Sequence, residues 1–300
     1  MSRMSVWVEG ARPRTLPASV MPVVVGTAAA GHAVLWRTVA AFVVGLGLQV
    51  GVNFANDFHD GVRGVDTERR LGPPRLTSSG LASPSAVLAA GLVSIGVAAI
   101  AGLTLAVATS LWLIPIGAAA IAALWLYSGG PKPYAELGVA EVMVFLFFGL
   151  LATAGTAYVQ AETVTAAAWW ASVAMGLLIV AILEANNLRD IPTDEAAGKR
   201  TLAVRLGDRR ARVLYGAEVV AAFVAVAAGV VVGVADERYG MPAWSLLALA
   251  SLPLALRALA AVRKAQGREL IAVLVETSGL VVAFGILLSF GLWVAGATRA

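Results

Sequence analysis

The sequence predicts an all-α integral membrane protein, a single domain over residues 1–300 built as a bundle of nine transmembrane helices with a cytoplasm-facing active site. Three observations predict it. The chain is 59% hydrophobic and only 13% charged, with a mean hydropathy of +0.84, where a soluble domain carries about 25% charged residues. Nine apolar runs approach or exceed the roughly 20 residues that a spanning helix needs. They lie near 16–35, 37–57, 85–107, 110–128, 137–158, 165–187, 212–234, 242–262 and 271–296. With the amino terminus placed in the cytoplasm, nineteen of the 22 Lys and Arg fall on inside segments, and only Arg37, Arg238 and Arg299 fall outside, a strong positive-inside bias. Backbone groups in hydrocarbon must be satisfied within the segment, so helices are expected, and the runs are too long and too apolar for barrel strands.

In chain order, MSRMSVWVEGARPRTLPASV has no classical signal-peptide cleavage pattern, so the first run is expected to stay as helix one. The second run contains Gly47 and Gly51, a spacing suited to close helix packing, and ends in NFANDFHDGVRGVDTERR (53–70). A long, charged cytoplasmic segment (58–84) leads to the third and fourth runs. Glu141, Glu184 and Glu276 sit near ends of, or inside, the fifth, sixth and ninth runs, each expected to line a chamber or pair with a basic neighbour. The sixth run leads into a second charged cytoplasmic segment, 188–211. Gly229 and Gly233 again suggest helix packing in the seventh. Trp residues near several helix ends read as an aromatic belt. His32 and His59 have no partner spacing for a metal site and read as structural. Cysteine is absent, which excludes disulfides, thiolate nucleophiles and Cys-based metal sites. The net charge of +4 describes loops at an anionic leaflet and points to a lipid bilayer as partner, with no nucleic acid.

Chemistry is concentrated in the two charged segments. Gln49, Asn53, Asn56 and Asp60 are spaced four, three and four apart, which places them on one helical face, with Asp57 beside it. Gly61 and Gly64 are expected to break the helix and let Asp66 fold back toward Asp60. Asn187, Asp190 and Asp194 repeat the pattern at the end of the sixth run, although Pro192 disfavours helix at Ile191. Both clusters end inward-running helices, and a compact bundle can bring them face to face. Opposed carboxylates require something positive between them. Magnesium takes a few carboxylates, waters and substrate phosphate, and flanking Arg and Lys bind the same phosphates. The combination describes a diphosphate bridged by Mg2+ at the mouth of a hydrophobic chamber, hence a prenyl diphosphate. Two other classes share some of these features: a secondary transporter, whose charges usually sit near the midplane, and a non-catalytic membrane protein with acidic loops for calcium or a partner. Singly, Asn53 and Asn187 could serve as interhelical glue, and Arg63, Arg75, Lys199 and Arg200 as topology anchors.

Over nearly its whole length the chain resembles the UbiA superfamily of intramembrane aromatic prenyltransferases. Asn56, Asp57, Asp60 and Asp66 match its first acidic motif, and Asp190 and Asp194 its second. Many members place the last acid of the first motif four residues after the middle one; here that position is Gly64 and the acid is Asp66. This departure, with ARPRTLPASVMPVVVGTA (11–28), YSGGPKPYAELGVAEVMVFLFFGLLATAGT (127–156) and NNLRDIPTDEAAGKRTLAVRLG (186–207), is similar to the branch that prenylates 1,4-dihydroxy-2-naphthoate in menaquinone synthesis. The resemblance implies a polyprenyl diphosphate and 1,4-dihydroxy-2-naphthoate as substrates, Mg2+ as cofactor, and a multi-pass protein of the cell membrane. Carbon dioxide and pyrophosphate leave, giving demethylmenaquinone; other acceptors in the superfamily are 4-hydroxybenzoate, homogentisate and haem. It implies Asp57, Asp60, Asp66, Asp190 and Asp194 as metal ligands, with Asp60 and Asp190 central to catalysis. Asn53, Asn56, Arg63, Arg75, Lys132, Tyr134, Asn187, Lys199 and Arg200 are the expected substrate contacts. Tyr127, Tyr134, Phe145, Phe147 and Phe148 are the aromatic faces expected to shelter a carbocation, by proximity to the motifs.

Overall fold

The computed structural model describes residues 3–64 and 75–298, and every regular element among them is helical. Besides three short 3₁₀ turns, in order these are α1 (Arg3–Gly10), α2 (Pro17–Ala29), α3 (Leu35–Val62), α4 (Pro84–Ala108), α5 (Leu113–Ser128), α6 (Ala140–Val144), a π-helical stretch (Phe145–Leu151) that runs on into α7 (Ala152–Ala161), α8 (Ala166–Ala196), α9 (Leu202–Leu206), α10 (Asp208–Ala235), a 3₁₀ stretch (Ala243–Ser251) that continues as α11 (Leu252–Lys264), and α12 (Leu270–Ala297). Seven of the resulting helices are long and apolar enough to cross a membrane. The nine-helix expectation is therefore met by length at seven places. The other two runs are helical but short: α2 has 13 residues and α5 has 16, about 20 and 24 Å against a hydrocarbon core of about 30 Å.

Local chemistry explains several ends. Ser83 caps α4, its hydroxyl accepting from the Ala86 N–H, and Pro84 takes the first helical position, where no donor is needed. Thr165 caps α8 in the same way. Pro192 does not stop α8, which runs on to Ala196; Asp190 and Asp194 therefore stay on one helical face. Gly61 does not break α3 either. It is helical, and a Cβ there would stand 2.4 Å from the Thr77 side chain, so glycine serves a close approach of the 76–78 segment. Gly64, with φ of 68°, is where the chain leaves the helical region.

Packing divides the bundle. α2, α8, α10 and α12 share the main core, around Met175, Leu178, Tyr215, Leu280 and Phe284. α3, α4 and α5 make a second assembly, with Ala55, Ile95 and Leu124 at one contact. Gly47 and Gly51 lie against Ala98 and Ile95 of α4, the close helix packing their spacing implies. Gly229 and Gly233 instead receive the 240–241 turn, where Met241 N–H donates to Gly229 O at 2.7 Å. At one end of the bundle Arg37 of α3 donates to Val159 O of α7 at 2.9 Å, and His32, in the α2–α3 connection, has its Nε2 3.0 Å from Gln160 O of α7. Along the π-helical stretch Gly149 meets Gly176 of α8 with no side chain between them. A Cβ on Gly149 would sit 2.3 Å from the Gly176 Cα. Gly149→Ala should therefore destabilise the protein by about 1–3 kcal/mol, read as a lower thermal unfolding midpoint in detergent; an unchanged midpoint would mean the two helices separate freely.

Candidate active site

The polar face of α3 does several jobs. Asn53 Nδ2 donates to Ala11 O at 2.9 Å and its Oδ1 accepts from Gln49 at 3.5 Å, which ties the amino-terminal turn to the helix. Asn56 Oδ1 accepts from the Ser128 hydroxyl at 2.6 Å, linking α3 to the end of α5. Asp57 is buried, and its two oxygens accept from the Leu76 and Thr77 amides at 2.8 Å each. It holds the 76–77 segment against α3 and does not line the polar cavity described next. Asp60, one turn on, points inward. Its Oδ2 lies 3.0 Å from Lys199 Nζ and 3.7 Å from Arg75 Nη2.

The facing wall is the end of α8. Asn187 Nδ2 donates to Glu141 Oε1 at 3.0 Å. Arg189 is 3% exposed and grips Asp190 with both arms of its guanidinium, Nε to Oδ1 at 2.7 Å and Nη2 to Oδ2 at 2.6 Å. The helix ends in a left-handed Gly198, φ 77°, with Lys199 N–H donating to Asp194 O at 2.8 Å. This glycine-closed turn sends Lys199 across to Asp60. The two walls enclose a polar cavity of about 130 Å³ whose charged lining is Asp60, Asp190, Asp194 and Glu136 against Arg12, Arg75, Arg189 and Lys199.

A larger, mostly apolar chamber of about 540 Å³ adjoins it. Arg12, Asn56, Tyr127, Leu183 and Asn186 line both spaces and mark their junction. Asn56 and Ala41 both line the chamber on α3, so it runs for about 22 Å at 1.5 Å per residue. Its walls include Tyr127, Tyr134, Phe147 and Phe148. The Tyr127 and Tyr134 rings meet edge to face at 5.4 Å. Burial pushes the Tyr134 phenol up to about 12, so it stays neutral at physiological pH. Phe145 is absent from the chamber lining and packs against Gly176 of α8.

The expected site residues thus separate. Asn56, Asp60, Arg75, Asn187, Asp190, Asp194 and Lys199 share the polar cavity, while Asn53 and Tyr134 line the chamber. Arg63, Lys132 and Arg200 line neither. Arg63 stands behind the lining, paired with Glu136 at 2.8 Å. Lys132 lies in an exposed turn, and Arg200, directly after the inward-reaching Lys199, is exposed. Asp66 lies outside the described residues. Three charged cavity residues, Arg12, Glu136 and Arg189, were not singled out from sequence. Arg189 looked like one more inside charge. Arg12 adopts a left-handed backbone, φ 55°, which nothing in RPRTLP announces. The carboxylate-rich donor set suits a hard cation. Among the described residues, however, no three acidic or imidazole groups converge closely enough to hold a metal by themselves.

Comparison with known proteins bears on this arrangement. The profile of the UbiA prenyltransferase family matches residues 19–274. The chain belongs to the UbiA prenyltransferase family. Among relatives of this UbiA protein, the 1,4-dihydroxy-2-naphthoate octaprenyltransferase of Mycobacterium tuberculosis is 48% identical over 92% of this chain and 93% of that one. The Escherichia coli protein of the same name is 37% identical over 71% and 72%. Among solved structures, a UbiA homologue from Aeropyrum pernix K1 superposes with a TM-score of 0.68 at 17% identity, over 94% of this chain and 97% of that one. A UbiA homologue from Archaeoglobus fulgidus bound to DMAPP and Mg2+ gives 0.64 at 11% identity, over 95% and 99%. At these identities the structural likeness establishes a shared fold.

The assignment of Asp57 to the loop clamp has a direct consequence. Asp57→Ala removes two charge-assisted hydrogen bonds from buried or half-buried amides, and should cost roughly 2–4 kcal/mol of stability. Thermal unfolding checks this. Unchanged stability combined with lost activity would return Asp57 to the metal.

Proposed function

We propose that this UbiA protein transfers a polyprenyl group from a prenyl diphosphate to 1,4-dihydroxy-2-naphthoate in menaquinone biosynthesis. The observation that carries the reading is the junction itself: a cavity of opposed carboxylates and cations opens directly into an apolar chamber deep enough for a prenyl tail. The choice of acceptor is supported by the near-full-length likeness to the mycobacterial protein named for it.

Asp60 on α3 and Asp190 and Asp194 on α8 are the residues that would hold Mg2+ from opposite walls. Bound there, Mg2+ supplies charge neutralisation and Lewis-acid withdrawal at the leaving diphosphate. Lys199 and Arg75 bind the diphosphate oxygens, and Asn56 and Asn187 complete the polar lining. The allylic C–O bond breaks with its electron pair on the diphosphate. Tyr127, Tyr134, Phe147 and Phe148 present ring faces to the cation that remains, and the apolar chamber keeps water from it. The naphthoate ring supplies the pair for the new C–C bond and recovers aromaticity as its carboxylate leaves as carbon dioxide. No electrons pass to an external carrier, so the product leaves as the hydroquinone of demethylmenaquinone. Lipid-dissolved tail and water-soluble head groups then meet at one membrane face, the cytoplasmic one. The short α2 and α5 complete nine crossings of the cell membrane.

The decisive assay offers the detergent-purified protein labelled prenyl diphosphates and a panel of aromatic acids, with product identified by mass. Prenylated naphthohydroquinone is expected, with turnover abolished by EDTA and restored by Mg2+; transfer to 4-hydroxybenzoate in its place would overturn the acceptor, and full turnover in EDTA the metal. Lys199→Ala should lower turnover at least tenfold, about 1.4 kcal/mol of barrier, with topology unchanged. Because the chain has no cysteine, single introduced cysteines report topology directly. Normal turnover of this variant would leave Lys199 as an anchor only.

A further inference from the structure

Each wall of the polar cavity holds a carboxylate already engaged by a cation of the chain. On α8 the Arg189 fork takes both oxygens of Asp190, at 2.7 and 2.6 Å, with Arg189 itself 3% exposed. On α3 Asp60 Oδ2 is 3.0 Å from Lys199 Nζ. Among the described residues no cage of three acidic or imidazole groups stands ready for a metal. A divalent cation entering alone would have to take Asp190 and Asp60 from these partners. It would then leave Arg189 and Lys199 displaced beside it, with Arg75 also 3.7 Å from Asp60, in a largely buried cavity where an unpaired charge is costly. A diphosphate removes that penalty. Its oxygens supply the missing metal ligands and, at the same time, new partners for the displaced guanidinium and ammonium. A guanidinium fork fits a phosphate as well as it fits a carboxylate.

We propose that Arg189 and Lys199 are exchange cations, which occupy Asp190 and Asp60 until a divalent cation and a diphosphate arrive together, and then bind the diphosphate. This rests on the assignment of the cavity to a metal–diphosphate pair. It adds Arg189 to the diphosphate-binding residues and makes metal and diphosphate affinities interdependent, since coupling between two ligands is reciprocal. A merely structural Arg189–Asp190 pair would stabilise the helix end and leave that coupling alone.

The test is Mn2+ binding to the full chain in detergent, read by electron paramagnetic resonance with and without inorganic pyrophosphate. An Asp60→Asn/Asp190→Asn protein sets the background from Mn2+–pyrophosphate free in solution. For the unaltered protein, pyrophosphate should tighten Mn2+ binding at least about tenfold, within the usual range of coupling. Arg189→Gln should bind Mn2+ alone at least about threefold more tightly than the unaltered protein, and lose at least about threefold of the pyrophosphate enhancement. Lys199→Gln, at a more accessible position, should move both quantities in the same directions, so the result does not hang on one buried substitution. If the unaltered protein shows the enhancement but both variants bind Mn2+ alone no more tightly than it does, the exchange is wrong and the metal site stands. If the unaltered protein binds no Mn2+ even with pyrophosphate, the metal reading falls and the exchange with it.

Discussion

Carboxylates at the ends of membrane helices have to be neutralised, and the architecture around the site follows from that requirement. Asp60 and Asp190 sit largely out of water, where an isolated charge is prohibitive. Lys199, Arg75 and Arg189 meet it with ion pairs that cross from one element to another or close on a neighbour. To bring Lys199 back over the cavity, α8 must end in a left-handed glycine. To bring Arg75 in, the chain beyond α3 must return over that helix, and Asp57 holds it there through the Leu76 and Thr77 amides. In the proposed function, the cations that neutralise these acids are the ones that receive the diphosphate.

The apolar half answers a different need. The prenyl tail of the proposed function requires volume without polar partners, and the mostly apolar chamber has about 540 Å³ of it. The wider turn of the π-helical stretch keeps Phe147 and Phe148 both on the chamber while Phe145 and Gly149 seat against Gly176 of α8. Such stretches recur at functional sites. Here one links the packing of α8 to the shape of the chamber wall. Polar and apolar spaces meet at Arg12, Asn56, Tyr127, Leu183 and Asn186, drawn from four separate parts of the chain.

Much of this was determined by the sequence alone, because its signals are local or additive. Apolar runs and the Lys and Arg distribution report the solvent of each segment, so the membrane class and the helical content were legible, and the spacing of Asn53, Asn56 and Asp60, and of Asn187, Asp190 and Asp194, marked the right helical faces. Even Pro192 did not disturb the second face. What the tertiary structure decided were partners and directions. Asp57 and Asp60 are three residues apart and chemically identical, yet one bonds a backbone turn and the other faces the cavity. Lys199 and Arg200 are adjacent cations, and only the first reaches inward. Arg189 reads as a topology charge until its bidentate hold on Asp190 is seen. The physical reason is common to all of them. Period and composition set which face a residue occupies, but the partner a charged side chain takes depends on what the rest of the bundle brings within about 3 Å of it, and that distance is written nowhere in the local sequence.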